Sequence, residues 1–114
     1  MMHLDEVIPV AVVPEGYQGK IMLVQVRTDN QQLTILRSGD IWHKEILRNT
    51  EAEIQALGLD DVQIDELGGA YLSFRDDGSI LIWGTSDYFG ACDKAYAAEL
   101  VRSLWPSRDV AVED

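Results

Sequence analysis

Apolar residues along the 114-residue chain fall into short runs with two different spacings. Continuous or alternating apolar positions predict strands, because successive side chains of a strand point to opposite faces of a sheet. Residues 20–27 carry charges only at their ends, which predicts a central strand covered on both faces. Residues 33–37 are expected to pair with it, whereas Pro9 places residues 7–13 at an edge. The remaining predicted strands are residues 62–67, 70–75, 79–85 and 110–112.

Two longer segments show the 3.6-residue apolar spacing of amphipathic helices. The first helix is predicted over residues 41–57 and ends at Gly58, and the second is predicted over residues 91–105 and ends at Pro106. Between them, the turn at residues 76–78 ends in a glycine and predicts a β-hairpin. The whole pattern predicts one α+β domain over residues 1–114, a mixed β-sheet of about six strands flanked by two helices.

The charge of the chain limits its partners. Twenty acidic residues against nine basic ones give a net charge of −11, which repels nucleic acids and anionic membranes. A phosphate site would have to be built locally from a few cations and helix N-termini. The lone Cys92 cannot form an internal disulfide, and we find neither a signal sequence nor an apolar run of the roughly 20 residues that span a membrane. A cytoplasmic protein is therefore expected.

His43 is the main candidate for chemistry. Residues 38–40 are interpreted as a turn with Asp40 as the helix N-cap, which places His43 in the first helical turn. The partial positive charge at a helix N-terminus disfavours a charged imidazole, so His43 is expected to be a neutral base or nucleophile. The alternative is a surface histidine without a role. His3, His43 and Cys92 lack the spacing of metal ligands, so neither a metal nor a cofactor is expected.

Three features could supply positive charge or hydrogen-bond donors near His43. Lys20 opens the central strand, and Arg37 ends the strand that leads to the first helix, although either could be a solvated strand-end charge. The third feature is the segment 84–90, which joins a strand to the second helix. Its N–H groups, the Ser86 hydroxyl and the N-terminus of that helix could cradle an anion. Asp87 would oppose an anion unless its side chain points away.

These motifs, taken in order, resemble those of the small protein phosphohistidine phosphatases of the Janus/Ocnus family. Residues 42–46 fit the family pattern of an aromatic residue, a histidine, a polar residue, an acid and isoleucine. Residues 67–69 are similar to its Leu-Gly-Gly step, and residues 83–90 to its aromatic-Gly-x-Ser stretch with a later glycine. Residues 35–39 look like the approach to the histidine helix, about two residues shorter. The resemblance runs from about residue 15 to residue 112.

The resemblance implies a metal-independent phosphatase that hydrolyses the P–N bond of phosphohistidine in proteins or peptides. His43 would act as general base or nucleophile, without a cofactor, while Lys20, Arg37, Ser86 and the backbone of Tyr88 would hold the phosphoryl group. The implied partner is a phosphohistidine-bearing protein or peptide, and the expected state is a monomer.

One position departs from the family pattern. Tyr71 follows residues 68–70, where the family commonly has an arginine, so a hydroxyl that can donate one hydrogen bond replaces a charged phosphate contact. Two alternatives stay open: a non-catalytic anion- or protein-binding member of the same fold, and a hydrolase of small phosphoramidates.

Overall fold

One mixed sheet of six strands carries the helices in the computed structural model, which describes residues 3–113. In chain order the elements are α1 (Leu4–Val7), β1 (Ala11–Val12), β2 (Gln18–Arg27), β3 (Gln32–Gly39), α2 (His43–Gln55), β4 (Gln63–Phe74), β5 (Ile80–Trp83), α3 (Lys94–Leu104) and β6 (Val110–Val112). The sheet order is β1-β3-β2-β4-β5-β6. The inner strands pair antiparallel, and the outer β1 and β6 pair parallel to their neighbours. The predicted α+β class with a mixed six-stranded sheet is confirmed.

Both faces of the central strand β2 are buried, as its sequence predicts. Ile21 and Leu23 pack on the side of α3, while Met22, Val24 and Val26 pack on the side of α2. Lys20 lies two residues before Met22 in this strand, so its side chain points to the same face of the sheet as that of Met22. Lys20 and the strand residues paired with it therefore lie on the α2 side of the sheet.

The strand β4 corrects the prediction of two separate strands at residues 62–67 and 70–75. It is one strand, and its pairing with β2 shifts between Met22 and Val24, so that Leu67 and Gly68 lie opposite the single residue Leu23. This is a β-bulge, and Gly68 has the positive φ of +90° that glycine tolerates. The glycine pair that suggests a break in the sequence is instead a local distortion of a continuous ladder.

The helix starts also differ from the predictions. Asp40 does not cap α2: the N-cap is Trp42, whose side chain accepts no capping hydrogen bond, and His43 is the first helical residue. The helix α3 starts at Lys94, later than predicted, because the Asp93 side chain accepts a hydrogen bond from the Tyr96 N–H. The predicted strand at residues 7–13 is wrong at its start, since Leu4–Val7 is a helix, whereas β1 lies at the sheet edge.

Candidate functional site

An open pocket of about 540 Å³ lies where α2 begins, between the sheet and the loop that follows β5. It contains five of the six residues predicted for the site: Lys20, His43, Tyr71, Ser86 and Tyr88. The other lining residues are Trp42, Lys44, Glu45 and Asp87. The volume is within the range of small-ligand sites and exceeds what a single phosphoryl group needs.

The imidazole of His43 is held in one orientation. The side chain is only 5% exposed, and Nε2 lies 3.2 Å from the carbonyl oxygen of Ala70. Because a carbonyl oxygen only accepts, Nε2 is the donor, and the neutral ring keeps its lone pair on Nδ1. Within residues 3–113 no hydrogen bond engages Nδ1, and no fully shielded side-chain nitrogen or oxygen lacks a partner. Nδ1 is therefore the ring atom open to the pocket.

Gly69 makes room for that ring. A Cβ at position 69 would overlap Cδ2 of His43, and it would lie 2.6 Å from Nε2 and 3.0 Å from Cβ of Ser86. Gly68 allows the backbone at Ala91 to pass close to β4, since a Cβ at position 68 would lie 2.7 Å from the carbonyl oxygen of Ala91. The sequence motif at residues 67–69 is visible without a structure, but its role as clearance for His43 is not.

Ser86 is buried and organises the loop on the opposite side of the pocket. Its Oγ accepts hydrogen bonds from the N–H groups of Tyr88 at 3.3 Å and Phe89 at 3.1 Å. Its backbone pairs with Gly90 in both directions. The Ser86 hydroxyl keeps its own proton to donate. The Tyr88 N–H, part of the backbone predicted to hold a phosphoryl group, is thus engaged by Ser86, and Tyr88 lines the pocket.

Lys20 is the cation on the sheet side of the pocket. It lies opposite Tyr71 in the β2–β4 ladder, and its Nζ is 5.8 Å from the ring centroids of both Tyr71 and Trp42. Tyr71 is fixed in turn by stacking on Trp83, with ring centroids 4.8 Å apart. None of the ion pairs among the described residues involves Lys20. Its charge is therefore placed by two aromatic rings and is free to meet an anion.

Arg37, predicted as a phosphate contact, is not among the residues that line the pocket, and its side chain is engaged elsewhere. Its side chain is buried, and Nε and Nη2 donate to the two carboxylate oxygens of Glu53 at 2.9 and 2.8 Å. Nη1 donates to the carbonyl of Leu36. The hydrogen bonds from Arg37 hold the pKa of Glu53 below its ordinary value. A buried guanidinium needs such a partner, and here the pair ties α2 to β3.

The N-terminus of α2 lines the pocket with free backbone donors, which the sequence does not predict. The Trp42 carbonyl accepts from the N–H groups of Glu45 and Ile46, and those of His43 and Lys44 have no acceptor among residues 3–113. Such free donors carry the positive end of the helix dipole. The N-terminus of α3, predicted for this role, is capped by its own Asp93 and does not line the pocket. The signal in the sequence is the lack of a capping side chain before His43.

Fold and site together define a small α+β domain with an open pocket beside one buried histidine. The chain belongs to the Janus/Ocnus family, because the model of that family (Ocnus) matches residues 4–109. The assignment to a phosphohistidine phosphatase family is wrong, since the matching model describes the Janus/Ocnus family and names no phosphatase. A comparison with curated proteins gives no match. Among the described residues no helix is long and apolar enough to cross a membrane.

Proposed function

We propose that the pocket binds a phosphoryl group and that His43 promotes the metal-independent hydrolysis of the P–N bond of phosphohistidine in a protein or peptide. One observation carries the proposal. The free Nδ1 of a buried histidine lies in the same pocket as Lys20, Ser86 and an uncapped helix N-terminus. Donors of these kinds favour an oxyanion with several oxygens, and a phosphoryl group has that chemistry.

The donors surround the pocket in a way that suits a tetrahedral group. The Lys20 ammonium lies on the sheet side, the Ser86 hydroxyl in the opposite loop, and the N–H groups of His43 and Lys44 at the helix end. In the proposed complex each donates to a non-bridging oxygen and neutralises charge that develops during transfer. Because these donors are fixed by the sheet, the helix and the loop, little reorganisation accompanies the reaction.

Two routes use the same nitrogen. In the first, Nδ1 of His43 takes a proton from water, which attacks phosphorus while the P–N bond breaks and its electron pair goes to the leaving nitrogen. In the second, Nδ1 itself bonds to phosphorus as the substrate P–N bond breaks, and water then cleaves the new P–N bond to release phosphate. In either route the Ala70 carbonyl holds the Nε2 proton and so stabilises the positive charge on the ring.

A non-catalytic role in binding an anion or a protein is the second candidate. Tyr71 brings no charge to the pocket, and the carboxylates of Glu45 and Asp87 are in its lining. Hydrolysis of small phosphoramidates is a third, because the pocket is open. We also keep the cytoplasm and a monomeric state as predictions.

Phosphate release separates these candidates. The purified protein is mixed in turn with a phosphohistidine peptide, phospholysine and phosphoramidate, and inorganic phosphate is measured over time. We expect release from the phosphohistidine peptide by the wild type and its loss in His43→Ala. His3→Ala is the matched control, because His3 is exposed and outside the pocket. Release from none of the three compounds would support a binding role, and release from small phosphoramidates alone would support the third candidate.

A further inference from the structure

The net charge of the protein is a problem for any phosphoryl ligand. With a net charge of −11, the protein repels a free dianion at long range. Three of its cations, Arg27, Arg37 and Arg108, are in ion pairs with carboxylates. The two lysines of the pocket are local exceptions within an anionic surface. A phosphoryl group is attracted from a distance only if the molecule that carries it has compensating positive charge.

The pocket lining contains two positively charged and two negatively charged side chains. The two cations are Lys20 and Lys44, and the two anions are Glu45 and Asp87. A bound phosphoryl dianion would be balanced by the two lysines, which leaves the two carboxylates as uncompensated charges. An anion site with uncompensated carboxylates at its edge favours a ligand that is cationic next to its anionic group.

Exposed aromatic side chains stand beside these carboxylates. Trp42 is 66% exposed and precedes the helical turn that contains Glu45, and Tyr88 is 74% exposed and follows Asp87 directly. Aromatic faces next to carboxylates bind lysine and arginine side chains, because the stem packs on the ring while the charged end meets the carboxylate. We call these four residues, Trp42, Glu45, Asp87 and Tyr88, the rim of the pocket.

We infer that the rim binds a polypeptide segment in which lysine or arginine residues flank the phosphorylated side chain. This inference rests on the proposed function, for which it names the substrate class. The phosphorylated side chain enters toward His43, while the flanking cations lie against Trp42 and Tyr88 and face Glu45 and Asp87. A small phosphoramidate reaches the donors but leaves the rim uncovered, so it is the poorer ligand.

Binding of peptide analogues tests the rim independently of hydrolysis. Three peptides carry a phosphonate-substituted triazole in place of phosphohistidine, flanked on each side by two lysines, two alanines or two glutamates, and their affinities are measured by titration calorimetry. We expect the lysine-flanked peptide to bind about tenfold more tightly than the glutamate-flanked one at low ionic strength. High salt should reduce this ratio, because exposed charges are screened.

Variants of the rim carry the decisive comparison. Asp87→Asn and Glu45→Gln should each reduce the lysine-to-glutamate affinity ratio by about twofold to fivefold. Glu99→Gln changes the net charge equally but lies exposed on α3, outside the pocket, and should leave the ratio unchanged. Equal affinity for all three peptides, or an equal loss in Glu99→Gln, would overturn the inference.

The inference and the proposed function fail in different ways. If phosphate is released from phosphohistidine peptides but the analogues bind without regard to their flanks, the rim inference fails and the catalytic proposal stands. If the analogues show the charge preference but no phosphohistidine peptide is hydrolysed, the rim is a binding surface and the catalytic proposal fails.

Discussion

The two main helices of this protein begin in opposite ways. The N-terminus of α3 is closed by the Asp93 side chain, which accepts from the Tyr96 N–H at 3.1 Å. The N-terminus of α2 has Trp42 at the N-cap, without a side-chain acceptor, and its first residue is the buried His43. A missing cap costs about 1 kcal/mol of stability. The helix start without a side-chain cap is therefore the one whose residues line the pocket.

The helix α2 is held by other means. The bidentate pair between Arg37 and Glu53 links it to β3, and Ile46 and Ile54 pack against the sheet. The stabilising contacts of α2 are therefore placed along its length rather than at its start. This arrangement leaves the first turn available to a ligand while the helix as a whole stays fixed.

The largest expected effect is on the rate of phosphate release and comes from removing the imidazole at the uncapped start of α2. His43→Ala should reduce phosphate release from a phosphohistidine peptide by about 10²–10⁴-fold, the usual contribution of a general base. The initial rate of release measures this effect. A rate within twofold of the wild type would place the reacting group elsewhere, since such a change is far below the roughly hundredfold minimum expected of a lost base.

Gly69→Ala should disturb the start of α2, because the added methyl group overlaps the ring of His43. The added Cβ would collide with the His43 ring and approach Ser86, so we expect a loss of about 1–3 kcal/mol in the free energy of unfolding, together with reduced phosphate release. Denaturant unfolding measures the stability. Gly39→Ala is the milder control, because its Cβ would approach Cγ1 of Ile41 at 3.2 Å and of Ile46 at 3.3 Å without overlapping a ring. Equal stability losses in the two variants would contradict the clearance role.

Glu53→Gln should weaken the anchor of α2 in a pH-dependent manner. We expect a loss of about 1–2 kcal/mol near pH 7, less than for a fully buried pair because Glu53 is 38% exposed. The pKa of Glu53 is lowered from 4.5 in the folded state, so its stabilisation is complete above that value and is lost as the pH falls through the lowered pKa. Unfolding of both proteins over a pH series measures the difference, which should stay constant above pH 4.5 and shrink in acid. A difference that grows in acid would be inconsistent with the pair.

Exchanging the caps gives the smallest effects and the sharpest comparison. Asp93→Ala should lower the free energy of unfolding by about 1 kcal/mol and leave phosphate release unchanged. Trp42→Asp should stabilise α2 by a similar amount, but the new carboxylate occupies the free N–H groups and should weaken phosphate binding. Thermal unfolding and a phosphate titration followed by amide chemical shifts measure the two properties. Unchanged phosphate affinity in Trp42→Asp would remove the helix end from the site.

The two long helices and most of the strands could be predicted from the sequence because their signals are local. The charges at both ends of residues 20–27 predict the central strand β2, and Gly78 predicts the hairpin that joins β4 to β5. The bulge at Leu67 and Gly68 was not accessible, since it is defined by the partner strand. A glycine pair predicts a break and a bulge equally well.

For the candidate site, too, the sequence predicts individual residues but not contacts with partners far along the chain. His43 and Ser86 are conspicuous in the sequence, and the structure brings them to one pocket. The partner of Arg37 lies 16 residues further along the chain, so only the packing of α2 on β3 distinguishes a structural cation from a phosphate contact. Lys20 and Arg37 are both strand-end cations in the sequence. In the fold, Arg37 meets the carboxylate of Glu53, whereas Lys20 lies beside the rings of Trp42 and Tyr71.

The bulge also decides which side chains of β4 reach the pocket. Before it, Ile64 and Glu66 are paired with Val26 and Val24, so even-numbered residues point toward α2. After it, Gly69 and Tyr71 are paired with Met22 and Lys20, so odd-numbered residues do. The extra residue at the bulge therefore changes which residues of β4 point toward α2, from even-numbered to odd-numbered positions. One continuous strand thereby places Ile64 in the apolar cluster that packs on α2 and Tyr71 in the pocket beside the first turn of the same helix.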